Sequence, residues 1–143
     1  MKLAISASLI TGSLWGLLGT KLFADPGGFN LKIELIKGVG AGAATGLIIT
    51  LIFLPVYKFT SKKNLIWATP ISVYLSIFLF TFILQSAFYP GSGMEEVIRI
   101  VGLSWWALTL WFALWPLFGV SLLNHLLVRH LILKADQGAV GNG

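Results

Sequence analysis

Four long stretches of the chain are continuously apolar, and each is long enough to cross a lipid bilayer. Inside lipid every backbone polar group must be satisfied within the protein, so these stretches predict α-helices. The first runs from about Leu3 to Phe23 and closes on Asp25-Pro26-Gly27-Gly28, a turn in which Pro presets φ and the glycines permit φ > 0. Lys2 followed by apolar residues also has the form of a secretory leader, with a poor cleavage site at Leu22-Phe23-Ala24. The run exceeds the ~7–15 residues of a leader's apolar region, so a retained span is expected. The second helix is expected to start at Asn30, a good N-cap, and its apolar part to run from Gly38 to Tyr57, with Pro55 bending or ending it.

The third stretch covers about Asn64 to Phe88, roughly 37 Å of helix at 1.5 Å per residue, enough to span with some tilt. Pro70 falls early in it as a potential kink. Tyr89-Pro90-Gly91-Ser92-Gly93 forms the next turn. Ser92 and Glu95 then make a capping-box pattern, and Glu95 stands four residues before Arg99. From there the apolar pattern continues to Leu133, interrupted by Pro116, which predicts a long, kinked fourth helix with Asn124–Lys134 leaving the membrane. The fold expected is all-α: four transmembrane helices in an antiparallel bundle, a single domain over residues 1–134, and a frayed tail over residues 135–143.

Composition agrees with a lipid environment. Only 10% of the 143 residues are charged, against about 25% in a soluble domain. The net charge of +5 sits in short loops and tails, a pattern of membrane topology rather than of nucleic-acid binding. Lys58, Lys62 and Lys63 form the strongest basic loop; with Lys2, Arg129 and Lys134 they place both termini on the cytoplasmic side of a four-span protein, most naturally in a bacterial inner membrane. Cys is absent, which excludes disulfides and thiolate metal sites.

Small residues recur every four positions in the first two spans: Ala4, Ser8, Gly12, Gly16 and Thr20, then Gly38, Gly42 and Gly46. Such stripes let two helix backbones approach closely. They predict either an antiparallel pair within the chain or a seam between copies of it. The segment Gly38-Val39-Gly40-Ala41-Gly42 resembles rotor-ring proteolipids of rotary ATPases, but the carboxylate that those proteins hold near mid-membrane has no counterpart in any span here. The same lack of acidic groups at depth weighs against proton-coupled transport. Thr69, Ser72 and Ser76 form a hydroxyl stripe, expected to make interhelical hydrogen bonds rather than to line a pore.

Trp111, Trp115 and Phe118 share one face of the fourth span and are expected to meet protein, a lipid or another lipophilic ligand. His125, Arg129 and His130, with Asn124, read as a basic collar touching lipid headgroups. His125 and His130 lie about 140° apart around a helix, so they cannot share one metal ion, and no metal or other cofactor is expected. No catalytic constellation stands out, which argues against an enzyme. The expected role is a structural or accessory subunit of a larger membrane complex, in contact with lipids and with other subunits or copies of itself. A small transporter or channel formed by homo-oligomerisation is the alternative.

Overall fold

In a computed structural model, residues 2–23, 31–88, 93–95, 97–99, 102 and 115–140 are described. Four helices dominate: α1 (Lys2–Phe23), α2 (Leu31–Phe59), α3 (Lys62–Phe88) and α4 (Trp115–Val140). Each is long and apolar enough to cross a membrane, and no strand occurs among the described residues. The candidate spans are Lys2–Lys21, Lys32–Tyr57, Lys63–Phe88 and Trp115–Ala135.

Helix α2 carries Pro55 yet continues to Phe59, beyond the point where a bend or stop was expected. Proline removes one backbone donor. In an apolar solvent the alternative, several unpaired groups, costs more than that single lost bond. The connection to α3 is short. Thr60 N–H donates to Val56 O at 3.0 Å, and Asn64 N–H donates to Ser61 O at 3.1 Å, so one helix ends and the next begins within two residues. Ser61 also offers its hydroxyl to Asn64 N–H at 3.4 Å, in the manner of an N-cap.

The expected fourth span is described in part. Among the described residues the candidate span is Trp115–Ala135, and α4 includes Pro116. The helix runs to Val140. Asn30 and Ser92, the expected caps, and residues 103–114 lie outside the described residues.

Two apolar clusters make the core. One gathers Ala4, Ile49, Phe53, Tyr57, Leu65, Val128 and Ile132; the other gathers Trp15, Ala41, Val73, Ile77, Phe80 and Leu117. Buried polar residues come between them: Ser8 and Thr11 on α1, Thr45 and Thr50 on α2, Thr69, Ser72 and Ser76 on α3, and Ser121, Asn124 and His125 on α4. Along α1 and α3 the chain meets the Ala4 cluster before the Trp15 cluster, and along α2 and α4 the reverse. A polar layer therefore crosses all four helices, with apolar packing on either side of it.

Candidate functional site

Helices α1 and α2 approach closely beside the polar layer. Ser8, Gly12 and Gly16 of α1 face Gly38, Gly42 and Gly46 of α2, and partner numbers fall along α2 as they rise along α1. A Cβ added at Gly12 would stand 2.5 Å from Gly42 O and 3.0 Å from Gly46 Cα; one at Gly46 would stand 2.6 Å from Ser8 O. Only glycine permits backbones this near. Gly40, in contrast, has open space where its Cβ would be.

At one end of this seam a chain of hydrogen bonds links three helices. Ser8 Oγ donates to Ala4 O at 2.8 Å, so its oxygen receives the Thr50 hydroxyl at 2.7 Å. Thr50 Oγ1 in turn accepts from Asn124 Nδ2 at 3.3 Å. The other end of the same amide, Asn124 Oδ1, accepts from Thr11 Oγ1 at 2.7 Å. One asparagine thus joins α4 to both α1 and α2 and has each half of its amide engaged.

His125, the next residue, does the same for α2 and α3. Its Nδ1 lies 2.7 Å from the Tyr57 hydroxyl and its Nε2 lies 2.7 Å from Ser72 Oγ. Ser72 directs its own proton to Thr69 O at 2.9 Å. Its oxygen is then left to accept, which assigns the ring proton to Nε2 and makes Nδ1 the acceptor of the Tyr57 hydroxyl. Phe53 packs against the imidazole with ring centroids 4.9 Å apart. His125 is fully buried. His125, read from the sequence as part of a headgroup collar, is held here by partners from two other helices. In lipid a polar ring needs such partners, whereas a collar position would leave it to water.

Its neighbours on α4 stand differently. Arg129 Nε donates to Thr60 O at 3.0 Å, pinning the basic end of α4 to the α2–α3 connection. His130 is exposed. Trp115 is 62% exposed and tilts against Phe118, ring centroids 6.4 Å apart, while Phe118 is half-buried beside the Trp15 cluster. Trp111 lies outside the described residues.

A small cavity of about 20 Å³ adjoins this layer, lined by Thr11, Trp15, Thr45, Ser76, Ser121 and Asn124 among others. No charged side chain lines it. Among the described residues no group of three or more His, Cys, Asp or Glu could hold a metal ion. The chemistry on offer is neutral hydrogen bonding, with the imidazole occupied on both sides. The tight glycine seam and the hydroxyl stripes were visible in the sequence. The polar partners of Asn124 and His125 were not, because they come from positions 53 to 113 residues away in the chain. The available signal was the rule that a polar side chain at depth implies a partner. The sequence matches no family model, and no curated protein or solved structure is detectably similar to it.

Proposed function

We propose that this protein is an accessory or structural subunit of a larger membrane complex, its four spans arranged as an antiparallel bundle. The observation that carries this reading is the engagement of the polar groups at depth. Ser8, Thr11, Thr50, Tyr57, Ser72, Asn124 and His125 hydrogen-bond one another within the chain. Such an interior suits a protein that holds a shape rather than one that moves ions. The outward faces carry large apolar groups, among them Trp67, Ile71, Phe78 and Phe82 on α3. These are surfaces for lipid and for neighbouring subunits.

Both termini, the Lys62–Lys63 connection and the Arg129–Lys134 end of α4 belong on one side in this arrangement, taken to be the cytoplasmic face of a bacterial inner membrane. There Arg129 and His130 meet lipid headgroups. Mild-detergent extraction from native membranes followed by mass measurement of the intact assembly tests the reading. We expect other polypeptides bound to the 15.6 kDa chain; a lone 15.6 kDa species would overturn it. One observation favours a second reading. A polar cavity lies between the helices, as in a self-associating transporter or channel. A homo-oligomer that carries flux in liposomes would select that alternative.

A further inference from the structure

Trp15 is 4% exposed, and its indole Nε1 is the buried side-chain atom without a hydrogen-bond partner among the described residues. An unmade bond of this kind in a buried site is unusual and calls for an occupant. Trp15 also lines the polar cavity. We propose that the cavity is a binding site for one small uncharged molecule with a single heavy atom, able both to accept and to donate hydrogen bonds, with water as its ordinary occupant. This goes beyond the accessory role and stands independently of it.

The class of ligand follows from size, charge and donor count. The cavity measures about 20 Å³, above the ~10–15 Å³ needed for one water and short of twice the upper figure. No charged side chain lines it, so an ion would lose its hydration with nothing in return. The occupant must accept from the Trp15 N–H. It is also placed to donate, because two of the lining hydroxyls direct their protons elsewhere: Thr45 Oγ1 donates to Ala41 O at 2.8 Å and Ser72 Oγ to Thr69 O at 2.9 Å. Their oxygens remain as acceptors. A carbonyl, which only accepts, answers half of this need. A water answers all of it, with the Ser76 and Ser121 hydroxyls beside the same cavity.

The test is an experimental structure of the wild-type protein in detergent or lipid at a resolution that shows ordered water. We expect a single compact peak within hydrogen-bond distance of Trp15 Nε1 and of at least one hydroxyl among Thr45, Ser72, Ser76 and Ser121. No peak there, a protein atom bonded to Nε1, or an elongated density from a larger molecule would each overturn the proposal. The Trp15→Phe variant removes the donor and keeps an aromatic ring. Loss of the peak is expected; an undiminished peak would show that the indole does not hold it. Should that variant fail to fold, the wild-type map decides alone.

Discussion

The Tyr57 hydroxyl lies 2.7 Å from Nδ1 of His125 and ties the end of α2 to the middle of α4. Because Ser72 receives the proton on Nε2, the imidazole is expected as the neutral Nε2–H tautomer. Nitrogen-15 NMR of histidine-labelled protein reads this directly. A protonated Nδ1 with a bare Nε2 would reverse the direction of both hydrogen bonds and refute the assignment.

Tyr57→Phe keeps the ring and deletes the donor, leaving a buried imidazole nitrogen without its partner. The expected loss is about 1–3 kcal/mol, the range for orphaning a buried polar group. Reversible unfolding in mixed micelles would measure it, and no loss would mean that the bond is absent.

Asn124 and Thr11 form a cross-helix pair at 2.7 Å. A double-mutant cycle with Thr11→Val and Asn124→Leu should give a favourable coupling near ~0.6 kcal/mol and not above ~1.7 kcal/mol, the span known for such bonds in membranes. Zero coupling would separate the two residues.

Gly42 and Gly40 lie two residues apart on α2 with opposite surroundings. A Cβ at Gly42 would stand 2.5 Å from Gly16 Cα and 2.6 Å from Gly16 N, whereas one at Gly40 meets nothing within 4 Å. Gly42→Ala is expected to cost about 1–3 kcal/mol by forcing the backbones apart. Gly40→Ala is expected to be neutral or to gain up to ~1 kcal/mol from helix propensity. Equal effects in the same unfolding assay would mean that α1 and α2 do not meet along this seam.

The chain has no cysteine, so single introduced thiols report topology cleanly. Ser61→Cys and Ala135→Cys should react with an impermeant maleimide from one side of sealed vesicles, and Gly93→Cys from the other. Labelling of Ser61→Cys and Ala135→Cys from opposite sides would rule out the four-span arrangement.

Three of the four spans were legible as lengths of apolar chain, since bilayer thickness alone fixes how many residues a crossing needs. The fourth was legible only in part. Apolar residues run almost unbroken from Val97 to Leu133, longer than one crossing, so nothing in the pattern marks where the span lies within them. Pro116 read as an interruption because proline is equally at home in a kink and in a first turn. Asn124 and His125 stand in sequence beside Arg129 and His130, so they read as part of one headgroup contact. The glycine seam was easier to see because its spacing repeats along the chain. The hydrogen-bonded layer, in contrast, is assembled from single residues on four separate helices.

The contact between α1 and α2 draws on nothing beyond Thr50 for its glycines and its Ser8–Thr50 bond. A growing polypeptide that has emerged only as far as the α2–α3 connection already holds both halves of it. During synthesis, in which N-terminal units fold first, this hairpin is able to close in the bilayer before the rest of the chain arrives. Thr11, Thr50 and Tyr57 then await partners that the ribosome has yet to make, and the late arrival of Asn124 and His125 fixes where the last helix comes to rest.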